Sequence, residues 1–381
     1  MAGLPGGQDA APLGGRAGSH RTQPLASPVY VSPILQGADP VISTVPVILP
    51  GVTSPYRWQE AWGDLPRVRD RHAWAHPGLA VGPGGSVFVA DTAEPRLHVL
   101  DGASGSRIRS IPIPTEDAHG LAMESSAAGP RLWLADVGSR LWIRDGQSTS
   151  TGSGQGRVAI LDLQTGAWLD VEPPHHDAYR ESAYRPTHVT VDPGGDDVWI
   201  ADGYGAHLVH RYGRDGAYRS TLSVGGRGSA DGFDTPHATF VDRRGPEPRL
   251  LVTDRGHRRV RAFNLDGVAM DDLPATGLTS PSGISALGDL TLVAELNASV
   301  AVLDPDGHLI GRIGEGTPPE ARGGWPNTRR SAGSVVRPRL VPGRFNSPHA
   351  MDVGPDGSIY VAEFVLGGRL VRITPDNMLG S

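Results

Sequence analysis

Residues Phe233–Phe263 read FDTPHATFVDRRGPEPRLLVTDRGHRRVRAF. ATFV alternates, RRGPEP breaks the run, LLVTD runs apolar to an acidic end, and VRAF opens a third run after another turn. Period-two patterning cut by Gly- and Pro-bearing turns predicts strand, turn, strand, turn, strand. A histidine, His237, stands at the start of the first strand. What that imidazole is aimed at depends on the rest of the chain.

From Trp58 onward this unit recurs. Six copies begin PGLAVGPGGSVFVADT, HGLAMESSAAGPRLWLADVG, RPTHVTVDPGGDDVWIADGYG, PHATFVDRRGPEPRLLVTDRG, PSGISALGDLTLVAELN and PHAMDVGPDGSIYVAEF. Aligning their first strands makes Pro77, His119, Thr187, His237, Ser282 and His349 equivalent. The steps after His119 and after Ser282 are longer than the others. They place insertions around RDGQSTSTGSGQGR through HHDAYRESAY and around GEGTPPEARGGWPNTRRSAGSVVRPR. Six four-stranded units of this length predict an all-β fold, a six-bladed β-propeller whose first strands line a central channel. The last unit ends soon after GGRLVRI without an outer strand, and YRWQEAW, ahead of the first unit, can supply it and leave no open sheet edge. The expected domains are a Pro/Gly-rich arm over residues 1–54 and the propeller over 55–376.

The 381 residues include 52 Gly and 34 Pro, a load of turn formers that suits many short strands. A net charge of −6 lacks the basic footprint of a nucleic-acid binder. With no cysteine there is neither a disulfide framework nor a thiolate metal site. The first residues carry no basic and apolar leader, and no run reaches the ~18 apolar residues of a membrane span. A cytoplasmic protein with no membrane partner is the expectation.

Histidine occupies the second, fourth and sixth of the equivalent positions: His119, His237 and His349. Alternate units of a six-fold ring are roughly 120° apart, so three imidazoles would converge on the axis at one level. Pro77, Thr187 and Ser282 between them are small enough not to block this. Three histidines with one open position form the donor set of a catalytic zinc site. His188 lies one residue out of register and is expected to face the other side of its strand. His175 and His176 belong to an insertion and read as solvated loop residues. The acidic residues that end the second strands (Asp91, Asp136, Asp202, Asp254, Glu295 and Glu363) recur in every unit, which suits turn-fixing hydrogen bonds rather than catalysis.

The repeat resembles NHL-repeat propellers over about Trp58 to Thr374. Its central stretch, PTHVTVDPGGDDVWIADGYGAHLVHRY with PHATFV and LLVTDRGHRRVRAF, is similar to the catalytic core of peptidyl-α-hydroxyglycine α-amidating lyase. That family cleaves a C-terminal hydroxyglycine to a peptide amide and glyoxylate, using zinc held by three histidines. Its ligand motifs HGL, PHS and PHD match His119 in HGLAM, His237 in PHATFV and His349 in PHAMDV. The resemblance further implies Tyr204 of DGYG as catalytic base and Arg255 of TDRG as a catalytic, substrate-binding arginine. A second arginine belongs after the second strand of the first unit; Thr92 stands there, and the nearest candidate is Arg96. The family's calcium site uses an acidic residue directly after the last zinc histidine. Ala350 occupies that place, so the resemblance does not extend to calcium.

Three functions follow as alternatives. The first is a zinc lyase acting on an α-hydroxyglycine-like, hydroxyamide-like or related small polar or peptide substrate. The second is a metal-dependent hydrolase or lactonase with a metal-bound hydroxide as nucleophile. The third is a non-catalytic NHL propeller that binds a protein or peptide on its open face. Imidazole donors favour zinc or another divalent transition metal over a hard cation.

Overall fold

The structure, a computed structural model, describes residues 44–376 apart from 61, 67–71, 75, 127–128, 226–227 and 332. Most of the expected arm, including VYVSPIL, lies outside these residues. Among them the regular structure is strand, with three single-turn 3-10 helices at Pro83–Gly85, Asp177–Arg180 and Pro319–Ala321.

Six antiparallel sheets follow one another along the chain. Their first strands are Leu79–Val81, Ala118–Ser126, His188–Val191, Pro236–Asp242, Pro281–Leu287 and Pro348–Val353. We number the sheets one to six in that order. Each first strand lies beside those of the sheets before and after it, and the sixth lies beside the first, so the strands close a cycle. That is the arrangement of a β-propeller, with short strands around an axis.

The second strands (VFVA, DVWIAD, RLLVTD, LTLVAE, IYVAE) are rich in β-branched and aromatic residues and almost wholly buried. Such residues suit a pleated strand covered on both faces. The core is accordingly divided among the sheet interfaces. Phe88, Leu97 and Val99 of sheet one meet Leu121, Leu132 and Leu134 of sheet two. Trp133 and Ile160 of sheet two meet Val189, Val198 and Tyr212 of sheet three. Equivalent clusters fill the remaining interfaces.

Sheet six draws on both ends of the described chain. Tyr56–Gln59 pairs antiparallel with Arg369–Pro375, matching Trp58 to Ile373, and Thr44–Val47 pairs on the outside of Tyr56–Gln59. Residues assigned to the arm thus contribute a fifth strand. Arg369 locks this junction: Nη2 reaches Glu60 at 2.5 Å, Nη1 reaches the fully buried Glu363 at 2.6 Å, and the guanidinium lies 5.3 Å from the Trp58 ring.

The insertions contribute to two small sheets at the end of the ring where the first strands begin. One joins Ala73–Trp74, Arg140–Arg144 and Gln147–Thr151; the other is the hairpin Thr328–Arg329 with Val335–Val336. The Val335 N–H donates to the Gly146 carbonyl, so the two insertions touch.

Candidate functional site

Four of the six first strands carry a β-bulge at the equivalent position. Pairing with the second strand slips between Ala118 and Gly120, Pro236 and Ala238, Pro281 and Gly283, and Pro348 and Ala350. The extra residue in three of these bulges is His119, His237 or His349. A bulge re-aims its side chain away from the regular alternation. All three imidazoles are buried, and their ring centroids stand 4.4 Å (His119–His349), 4.9 Å (His119–His237) and 5.0 Å (His237–His349) apart.

The next sheet in the ring orients each ring. His119 Nδ1 is 2.6 Å from the carbonyl of Thr187, and His237 Nδ1 is 2.7 Å from that of Ser282. A carbonyl only accepts, so both Nδ1 atoms carry the proton and both Nε2 atoms present a lone pair. His349 Nδ1 makes no hydrogen bond of ordinary geometry, although the Pro77 carbonyl, the next equivalent position, favours its charged form. The close approach requires Gly120, because a Cβ there would meet the Thr187 oxygen at 2.6 Å. Burial above all, and then neighbouring cationic groups, push all three histidines well below the ordinary imidazole range. They are neutral at physiological pH, the state in which imidazole binds metal.

Tyr204 closes one side. Its hydroxyl is 3.3 Å from His119 Nε2, 3.3 Å from His237 Nε2 and 3.3 Å from Arg255 Nη1. Arg255 also lies over the phenol ring, 5.2 Å from its centroid.

A fourth imidazole completes the cluster from a direction that the repeat does not predict. His76 follows the covering strand Ala73–Trp74, and Asp117 fixes it by accepting from both the His76 backbone N–H and Nδ1, the latter at 2.9 Å. Its ring stacks on Phe364 at 4.2 Å with planes 5° apart, and Phe364 in turn stacks on Trp74. Donor nitrogens of His76, His119 and His349 lie within 4.8 Å of one another. The sequence signals for this residue were His76 directly before Pro77 and Asp117 two residues before His119.

Arg96 is not brought to the cluster. Its described partner is Glu94, at 3.1 Å on the surface. Thr92 is buried and lies against Gly368. His175 pairs with exposed Glu172, and His176 accepts from the Ala178 N–H to cap a 3-10 turn. His188 turns out differently from expectation. It lies close enough to His349, across the ring, for its charge to disfavour charging there, and its Nδ1 is 3.3 Å from the Thr239 hydroxyl. It therefore faces the axis, and burial lowers its pKa to about 4. The strand-end carboxylates bind backbone around the first strands. Asp136 accepts from the N–H groups of Glu116, Asp117 and Gly138, and Glu363 from those of Asn346 and Ser347.

The donor set suits a divalent transition metal. His119 Nε2 and His349 Nε2 face each other at 3.1 Å. Two nitrogens on one tetrahedral zinc stand about 3.3 Å apart. The lone pairs of His119 and His237 have one Tyr204 hydroxyl proton between them, and a cation would satisfy both.

No family model matches the chain, and no curated protein sequence matches it significantly. Among solved structures, a streptogramin B lyase aligns with 84% of this chain and 97% of its own at 18% identity and a TM-score of 0.52. Virginiamycin B lyase from Staphylococcus aureus aligns with 84% of this chain and 99% of its own, at 17% identity and a TM-score of 0.51. A Bacteroides thetaiotaomicron protein of unknown function aligns with 84% of this chain and 76% of its own, at 11% identity and a TM-score of 0.53. At these identities the likeness concerns the β-propeller fold.

Proposed function

We propose that the chain is a metal-dependent lyase on a six-bladed, NHL-type propeller, the six sheets being its blades. His119, His237 and His349 would hold zinc, with His76 reaching the same cluster from the covering strand. The observation that carries this reading is the convergence of three buried imidazoles and the half-buried His76 with Tyr204 and Arg255; the donor nitrogens of His76, His119 and His349 lie within 4.8 Å of one another, and His237 joins them through the Tyr204 hydroxyl. The substrate is an α-hydroxyglycine-like or related small polar molecule. Two of the solved structures to which the fold is similar are a streptogramin B lyase and a virginiamycin B lyase, which is compatible with elimination chemistry at such a site.

Bound zinc would act as a Lewis acid toward the carbinol oxygen. Tyr204, with its oxygen 3.3 Å from two imidazole nitrogens, takes the hydroxyl proton as general base. The C–N bond then breaks, its electron pair passes to nitrogen, nitrogen takes up a proton, and a carbonyl forms at the former carbinol carbon. Arg255, 3.3 Å from the phenol oxygen, stabilises the phenolate and holds an anionic substrate group. The covering segment with Trp74 and Phe364 keeps bulk water from the imidazoles.

The test is zinc content together with glyoxylate release from N-benzoyl-α-hydroxyglycine. About one zinc per chain, with glyoxylate release lost in Tyr204→Phe, supports the reading. Protein that stays metal-free after incubation with zinc overturns it.

A further inference from the structure

Arginine is distributed unevenly between paired and unpaired sites. Most buried or half-buried arginines among the described residues have a carboxylate within 4 Å: Arg131 with Glu124, Arg211 with Asp197, Arg312 with Glu295, Arg372 with Asp356. Arg140, Arg185, Arg255 and Arg322 have none, and all four lie at the histidine end of the ring. Arg322 is occupied by the side chain and carbonyl of Asn346. Arg255 belongs to the site already described. Of the other two, Arg140 alone is buried with its donors largely unmet, and Arg185 is hydrogen-bonded to the loop from which Arg140 springs.

Arg140 is 4% exposed. Its Nε is buried with no hydrogen-bond partner, and its only described side-chain bond is a long one, 3.3 Å from Nη2 to the Glu94 carbonyl. It opens the covering strand Arg140–Arg144, one step nearer His76 than the Leu141–Trp74 pair. Arg185 reaches the same loop from the other side, with Nη2 donating to Ser139 Oγ at 2.8 Å and Nε to the Val137 carbonyl at 3.2 Å. Its own carbonyl accepts from the Tyr204 N–H at 3.4 Å. The carboxylates nearby are spent: Asp136 on three backbone N–H groups, Asp117 on His76, and Asp202 on Tyr179 and on the N–H groups of Arg185 and Ala206.

A buried guanidinium without a counter-ion is costly, and folds retain one where an anion supplies the missing charge. We infer that Arg140 and Arg185 form a second anion subsite, beside the metal cluster and separate from Arg255, which receives an oxyanion (carboxylate or phosphate) of the substrate. Planar guanidinium donors match either group. This deepens the lyase reading by making the substrate at least dianionic, with one charge at Arg255 and another at Arg140 and Arg185.

The subsite is tested without metal and without turnover. Chelator-treated full-length protein is titrated with malonate and, separately, with inorganic phosphate by calorimetry, in the wild type and in Arg140→Gln, Arg185→Gln and the exposed control Arg329→Gln. The expected result is saturable binding of at least one anion, weakened tenfold or more in each of the first two variants and unchanged in Arg329→Gln. The stronger of the two anions identifies the substrate group. Melting temperatures separate binding from a structural role: without anion, Arg140→Gln melts no lower than wild type. Absence of saturable binding by either anion, equal binding in all four proteins, or a lower anion-free melting temperature in Arg140→Gln overturns the inference. Because the protein is metal-free, failure of the zinc assay leaves this result unaffected.

Discussion

His119 and His349, 230 residues apart in sequence, bring their Nε2 atoms to 3.1 Å of each other inside the ring. A cation between them relieves that approach, so both should be indispensable for metal. Zinc affinity is expected to fall more than 100-fold in His119→Ala, His237→Ala and His349→Ala. In His76→Ala it should fall less than tenfold, because His76 arrives from the covering strand. Equilibrium dialysis against a zinc-buffered chelator measures each. A His76→Ala protein that loses zinc while His237→Ala keeps it would exchange the roles of those two histidines.

Orientation should matter nearly as much as the ligands. Outer partners of metal-binding histidines typically contribute about 10–100-fold in affinity. Gly120→Ala puts a methyl 2.6 Å from the Thr187 oxygen that holds His119 Nδ1. Zinc affinity should drop about tenfold with the fold retained. Unchanged affinity in a folded Gly120→Ala protein, as judged by circular dichroism, would mean that this carbonyl does not set the ligand's angle.

Tyr204→Phe removes the proposed base while keeping ring and packing. The rate of glyoxylate release should fall by about 10²–10⁴, the usual contribution of a general base, with zinc content unchanged. A variant that keeps wild-type kcat assigns the proton transfer elsewhere.

Acid should weaken the fold through histidines remote from the cluster. His210 donates from Nε2 to the Tyr179 oxygen, Tyr179 donates to Asp202, and His210 Nδ1 accepts from Thr221. Burial chiefly, with His176 adding, pushes the His210 pKa down to about 3. The unfolded chain therefore binds a proton near pH 6.5 that the folded chain refuses. Stability is complete above that value and declines as pH falls toward about 3. Between pH 6.5 and 5.0 the loss should be about 2 kcal/mol from this residue, and His210→Gln should flatten the urea-midpoint profile by that amount. A profile identical to wild type would remove His210 as the cause.

The ring junction offers a stability test. Arg369→Met leaves Glu363, which is fully buried, without its cation. Breaking a buried pair from one side costs about 3–5 kcal/mol, and urea unfolding should report a loss of that size. A loss below 1 kcal/mol would show that the junction is held by packing at Trp58 instead.

The architecture was legible because each sheet repeats one local pattern, and a repeat can be aligned to itself. That alignment alone picked out His119, His237 and His349. Two kinds of feature escaped it. His188 was assigned to the wrong face because its strand pairs without a slip, so alternation counted from the bulged histidines of sheets two and four does not carry over to it. His76 and Arg185 stand just before the aligned positions, where the other units carry different residue types, and Arg140 lies in a covering strand; three-dimensional closure alone brings them to the loops of neighbouring sheets. Arg96 showed the opposite failure, since nearness in sequence to Thr92 did not carry it to the histidines.

Sheet six takes its outer strands from residues 44–59 and its inner ones from 348–375. During synthesis, Trp58 and Tyr56 therefore leave the ribosome some 300 residues before Ile373 and Pro375, with which they pair. Sheets one to five can assemble in order behind the growing chain, but the circle stays open, with an unmatched strand at its leading end, until residues 369–375 arrive. Completion of the ring, and with it the approach of His349 to His119, thus waits until residues 348–375 have been made. A truncated product would hold His119 and His237 but have no closed site in which to use them.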